Sequence, residues 1–305
     1  ELHPPKTWDQ LLDIAEFFTR KKGEKLAGSV LTKNFYGYAD QAKRGRVYYW
    51  YLFRYIPFSA PDPHYFDPKT MKPLINSPEA IAALENMRQC LKYEPPGVLG
   101  WEWDELFTAG MKDGNIAMWI HWGDEGQKFF AKLAPLPVKN PPKPELGIAP
   151  TPGVEKDGKL YRYTFIDPAW VASICVDSKH PDAAWAVLDY MFGAGATSLR
   201  WVMSPEAGWN PYRYSHINSP LWLIKQPGVK RFLKALSEAM KSTYPGLKIP
   251  GAFEYLDALD MQVSRYLSGE IVTAKEALDA VATEWNRITK KFSVEKQKEF
   301  YKKMW

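Results

Sequence analysis

With 305 residues, the chain is long enough for one large domain or two compact lobes, each with its own core. Apolar residues make up 46% and charged residues 25%, mean hydropathy is −0.39, and no apolar run nears the roughly 18 residues of a helical membrane span, so an ordinary globular composition is indicated. The 40 basic and 35 acidic residues leave a net charge of +5 and a pI near 8.9, but the short basic runs at Arg20–Lys22, Lys43–Arg46 and Lys290–Lys291 are dispersed. Without a basic stripe beside interleaved aromatics, nucleic acid is not an expected partner.

In chain order, Thr7 reads as the N-cap of a first helix, with Gln10 completing a capping box and Leu11, Leu12, Ile14, Ala15 and Phe18 at helical spacing. Leu26–Leu31 reads as a short strand, and Val47–Ile56 as an aromatic helix. The proline-rich stretch Pro57–Pro73 reads as a loop with a small hairpin. Ser77 and Pro78 mark the N-cap and first position of a helix running to about Tyr93. A short helix is predicted over Trp103–Gly110, a strand over Asn115–Trp119, and another helix after Glu125 to Leu133. Strands are expected at Leu146–Ala149, Lys159–Phe165 and Val171–Val176, then a helix over Pro181–Phe192, continued helically over Ser198–Val202. Three more helices follow between Pro227 and Ile288, one N-capped by Thr273. This alternation points to an α/β fold with helices in excess.

Motif searches exclude more than they select. Gly193-Ala-Gly195 follows a helix, not a strand, and lacks the third glycine of a dinucleotide turn. His121, Asp124 and Glu125 have spacing that suits a metal, but no second His lies near in sequence, and a cleft-facing polar loop is the preferred reading. Cys90 and Cys175 cannot complete a four-thiolate site and read as two buried small hydrophobes. No serine-hydrolase, phosphate-loop or zinc-protease signature is present, and nothing singles out a glycosidase carboxylate pair among the 35 acidic residues. The aromatic set is the positive signal: 13 Trp, 17 Tyr and 15 Phe, with many Trp beside polar or turn residues, offer the flat apolar platforms on which sugar rings stack.

Five stretches, in order along the chain, resemble the extracellular solute-binding proteins of sugar ABC importers, the group that includes maltose-binding protein. They are Pro4–Leu11, Asn76–Leu84, Phe107–Met118 with its Gly114-Asn115-Ile116-Ala117-Met118, Asp177–Trp185, and Ser268–Asp279 with its Ser268-Gly269-Glu270. The resemblance implies a periplasmic-binding-protein-like (type II) α/β fold of two lobes joined by hinge crossings. Family members carry further sequence ahead of the first motif, so the first lobe is expected to be incomplete here. Residues 1–163 would begin the second lobe, 164–212 would be the returning segment of the first, and 213–305 would supply the second lobe's last helices.

The resemblance also implies a function: capture of a mono- or oligosaccharide in an aromatic interlobe cleft, delivery to the permease subunits of an ABC importer, and no catalysis and no cofactor. A monomer in the periplasm or on the outer face of the membrane is expected, its signal or lipid anchor lying outside this sequence. The alternatives are a carbohydrate-active enzyme, a binder of polyols or anionic sugars, or a remnant that folds without binding. Carried over position by position, the expected ligand contacts are Trp122, Asp124 and Glu125 in the loop after the Ala117-Met118 strand. Asp167 and Trp170 stand at the crossover, Trp209, Asn210 and Arg213 in the Gly208–Arg213 turn, and Tyr48 and Trp50 on the aromatic helix. Trp122 would stack on a sugar face, and the Arg213 fork would hold an acid or a vicinal diol.

Overall fold

A computed structural model describes residues 3–123, 135–141, 145–166, 170–204, 207, 209–226 and 228–304. Helix α1 (Trp8–Phe18) starts where Thr7 Oγ1 accepts the Gln10 N–H at 3.2 Å. Gln10 reaches back to the Lys6 N–H, one residue outside the usual box. A hairpin of β1 (Lys25–Leu26) and β2 (Ser29–Val30) follows, then β3 (Tyr36–Ala39). Helix α1 lies so close to β3 that a Cβ on Gly37 would fall 1.9 Å from the Ala15 carbonyl oxygen. Only glycine permits that approach.

Next come α2 (Val47–Phe58), α3 (Pro78–Cys90) capped by Ser77, and α4 (Trp103–Phe107), which form the crossover to β4 (Ile116–Trp119). Strands β3 and β4 pair in parallel, Tyr38 opposite Met118, which is the pairing that requires such a crossover. Strands β5 (Val154–Lys156) and β6 (Lys159–Tyr161) form a hairpin whose Asp157-Gly158 turn has φ of 50° and 71°, the conformation that selects Asp-Gly there. Strand β7 (Thr164–Ile166) pairs in parallel with the distant β8 (Thr243–Pro245). Between them lie α5 (Pro181–Phe192), α6 (Ala196–Met203), α7 (Tyr214–Ile217), α8 (Pro220–Lys225) and α9 (Val229–Ala239). The chain ends in α10 (Ala252–Leu267), α11 (Ala274–Lys291), N-capped by Thr273, and α12 (Val294–Lys302).

The main core is held between α2, α3, α10 and α11 and is rich in aromatics: Trp50, Tyr51, Tyr55, Tyr65, Phe66, Tyr255 and Trp285 are all buried. Each such side chain contributes on the order of 1.5–3 kcal/mol by burial alone. Several polar groups in this core are paired: Trp285 Nε1 donates to the Tyr255 carbonyl at 2.8 Å, and the Tyr301 hydroxyl of α12 accepts from the backbone of Tyr65 and Phe66, while the buried Trp50 Nε1 has no hydrogen-bond partner among the described residues.

A buried ionic cluster lies against β3. Arg54 donates to Asp40 at 2.9 Å and to the Trp50 carbonyl, and its guanidinium stacks 4.2 Å from the Trp8 ring. Tyr38 donates to the same carboxylate. Glu94 accepts the Asp40 N–H, and burial, with Asp40 nearby, drives its carboxyl well above the usual carboxylate range. Burial raises the Asp40 carboxyl as well, and Arg54 and the bond from Tyr38 oppose that rise. Burial also pushes the Cys90 thiol up to about 12.

Several expectations are corrected. Val171–Val176 forms no strand: Val171 and Val176 are 88% and 96% exposed, and among the described residues no strand pairs with them. Cys175 in that stretch is exposed, whereas Cys90 is buried as expected. Leu146–Ala149 is irregular, and the expected strand Lys159–Phe165 breaks at Arg162-Tyr163 into β6 and β7. The helix anticipated up to Leu133 lies outside the described residues. Among the described residues no helix is long and apolar enough to cross a membrane.

Candidate functional site

The turn at the end of β4 organises the site. Gly114, at φ 62°, reverses the chain into β4, whose apolar run then delivers His121, Trp122 and Gly123 at its carboxyl end. Binding residues gather at such strand ends because the loops there are free to vary. Trp122 is half-buried and meets Tyr49 and Trp50 edge-on, with centroids 5.7 and 5.3 Å away. Tyr49 in turn stacks on Tyr48 at 4.1 Å.

Helix α2 holds these rings in place because its amino end is anchored on α10. The buried Asp260 carboxylate accepts the Gly45 and Tyr48 N–H groups at 2.6 and 3.1 Å, where the helix dipole favours a negative charge. Burial raises the Asp260 carboxyl, and the two N–H groups and Arg44 oppose that rise.

A second turn meets the first. A Cβ on Gly123 would fall 2.7 Å from the Asn210 Oδ1, so the Trp122-Gly123 turn and the Trp209-Asn210 turn come into contact, and a side chain at Gly123 would require the Asn210 amide to move. Trp209 stacks on Phe192 at 5.0 Å with the ring planes 18° apart, and tilts over Trp201 at 5.5 Å. Arg213 donates to the Phe192 carbonyl at 2.9 Å, so its fork ties down the carboxyl end of α5 instead of pointing freely at solvent. Close by, the buried His216 pairs with Ser198 at 3.1 Å, and burial, with Arg213 beside it, holds its imidazole below the usual histidine range.

The anticipated residues thus divide. Trp122, Trp209 and Asn210 lie on the two meeting turns, and Tyr48 stacks on Tyr49, which meets Trp122. Trp50 is fully buried, its ring enclosed by Tyr49, Phe53 and Trp122, and its expected place on the cleft face is corrected to a core position. Trp170 is fully exposed. Asp124, Glu125 and Asp167 lie outside the described residues. Asp167 follows β7, whose Phe165 packs edge-on to Tyr49 at 5.9 Å. Sequence reasoning missed Asp260 and the buried Gln41, whose amide lies 3.3 Å from the His121 ring. Surface hollows of about 270 and 350 Å³, on α1–α3 and on α4, are lined by none of the ten anticipated residues. Among the described residues no group of three His, Cys, Asp or Glu is disposed to hold a metal.

The fold is that of type II periplasmic binding proteins. Maltose-bound MalE3 of T. maritima superposes with a TM-score of 0.71 at 21% identity, over 94% of this chain and 66% of that one. A solute-binding protein from Agrobacterium radiobacter K84 in complex with ribitol gives 0.71 at 20%, over 94% and 65%. One from Agrobacterium vitis S4 with bound D-mannitol gives 0.68 at 19%, over 96% and 68%. The chain thus spans about two thirds of the length of these structures. No curated protein matches it significantly. The family model for bacterial extracellular solute-binding proteins matches residues 1–198, and the chain belongs to that family.

Proposed function

We propose that this protein binds a small carbohydrate or polyol at the two meeting turns and hands it to an ABC importer outside the cytoplasm, without chemistry on the ligand. The observation that carries the reading is the approach of the Trp122-Gly123 turn to Asn210, with Trp122 edge-on to Tyr49 and Tyr49 stacked on Tyr48. Half-buried indole and phenol rings beside a side-chain amide provide an apolar stacking face with polar groups at its edge, the combination a pyranose or an extended polyol needs. Family membership supports capture over catalysis, and the maltose, ribitol and mannitol held by the structural neighbours support this ligand class. Asp124, Glu125 and Asp167 are proposed as hydroxyl acceptors around the same turns. Trp170 is proposed as a contact from the crossover, and Arg213 through the part of its fork not used on Phe192. Ligand would favour a closed arrangement through its differential affinity for it.

Thermal denaturation with and without maltose, ribitol or D-mannitol tests the proposal. A ligand at 100 times its Kd stabilises by about 2.7 kcal/mol, so a concentration-dependent rise in Tm of several degrees is expected, with the sugar recovered intact by chromatography. Constant Tm across the panel contradicts binding, and cleaved maltose contradicts a purely binding role.

A further inference from the structure

We propose that His121 is a positioning residue which fixes the Trp122 turn through one imidazole tautomer, anchored on the buried side chain of Gln41. The proposal deepens the reading above and rests on it for its functional consequence. The Trp122 N–H donates to His121 Nδ1 at 3.0 Å, so Nδ1 is the unprotonated nitrogen of the ring. A neutral imidazole must then carry its proton on Nε2, which makes that nitrogen a donor. Yet Nε2 faces the Gln41 Nε2 at 3.3 Å, and an amide nitrogen is also a donor. At the same time the Gln41 Oε1 is buried with no hydrogen-bond partner.

The donor-to-donor contact is removed if the amide is turned by 180°. Oε1, which is unpaired in the other orientation, then accepts the His121 Nε2–H. The anchor is rigid because Gln41 has no exposed surface and directly follows Asp40, which is held by Arg54 and by Glu94. Order passes from the ionic cluster through Gln41 to His121, and from its Nδ1 to the backbone of the residue that presents the indole. Gln41 and His121 are 80 residues apart, and the bond joins the end of β3 to the end of β4, so it also fixes where the turn leaves the sheet.

Long-range proton–nitrogen NMR on histidine-labelled protein at neutral pH reads the tautomer directly. The resonance assigned to His121 by its loss in His121→Phe is expected to carry its proton on Nε2. A proton on Nδ1 overturns the proposal. Two variants test the anchor: Gln41→Met removes the acceptor at similar volume, and Gln41→Glu keeps it.

With whichever of maltose, ribitol or D-mannitol binds the wild type, Gln41→Met is expected to weaken affinity about tenfold and Gln41→Glu to recover it to within about threefold. Undiminished affinity in Gln41→Met, or equal losses in both folded variants, overturns it. Should none of the three bind the wild type, the solute-binding reading fails. The tautomer, and a shift of Trp122 emission in Gln41→Met but not in Gln41→Glu, still decide the positioning role.

Discussion

The packing between α2, α3, α10 and α11 and the stretch from Trp170 to Gln226 are both rich in aromatics, but they use them in opposite ways. In the first, Trp50, Trp285 and Tyr255 have essentially no exposed surface, and the polar ends of Trp285 and Tyr255 find partners in the same core. In the second, α5 buries none of its residues. Trp185, Val187 and Tyr190 are 64%, 57% and 70% exposed. Among the described residues that stretch is held by a small cluster around Val202, Trp222 and Phe232, by the Trp209 stacking and by tethers such as Arg213 to the Phe192 carbonyl and Gln226 to the Met203 carbonyl. Aromatic content therefore does not report stability; enclosure does. An element held by few buried contacts opens locally at low cost. The proposed site sits where the two regimes meet, with Trp122 on the packed side and Trp209-Asn210 on the tethered side.

Breaking the packed side is expected to cost most. Trp285→Ala should destabilise by about 3–5 kcal/mol, read as a loss of cooperative unfolding midpoint in urea. A loss under about 1 kcal/mol would mean that this core is not the main source of stability.

Glu94→Gln acts in the same region with the opposite sign. Because the folded carboxyl is raised, its contribution is fully present below the ordinary carboxylate range and is lost as pH rises through the elevated value. The neutral amide should therefore raise stability by roughly 1–3 kcal/mol at pH 8 and change little near pH 4. Equal effects at both pH values would contradict a raised Glu94 carboxyl.

On the tethered side, His216 is lowered, so its contribution is present above the ordinary histidine range and is lost as pH falls below it. Amide exchange across α6 and α7 should accelerate between pH 7 and pH 5 after correction for intrinsic rates. That extra acceleration should be absent in His216→Asn, at a cost below about 1 kcal/mol. Smallest of all, Trp185→Ala should alter stability by no more than about 0.5 kcal/mol while reducing binding of a hydrophobic dye. A large loss of stability would show that α5 is packed after all.

The sequence made local features readable and left distant ones hidden. Thr7, Ser77 and Thr273 announce their helices because a cap is a bond across three residues. Val171–Val176 has the composition of a strand but no partner, and a strand without a ladder does not form. Strands β3 and β8 went unread because they are short and gain their meaning from partners remote in sequence. The resemblance puts Trp50 on the aromatic helix facing the cleft, but α2 is buried on most of its circumference and shows no single apolar stripe, and Trp50 lies on its buried side. Of the site, Trp122 and the Trp209-Asn210 turn could be singled out as aromatics at predicted turns. Asp260 could not, since its bond to the Tyr48 N–H spans 212 residues.

The central claim is that Trp122 is the stacking face of a solute site. Isothermal titration of wild type and Trp122→Ala with maltose, ribitol and D-mannitol tests it most directly. Saturable heat from at least one of the three, lost or weakened at least about tenfold in the variant (1.4 kcal/mol) while its Tm stays near wild type, is the predicted result. No heat from any of them in the wild type, or equal affinity in the variant, would contradict the account.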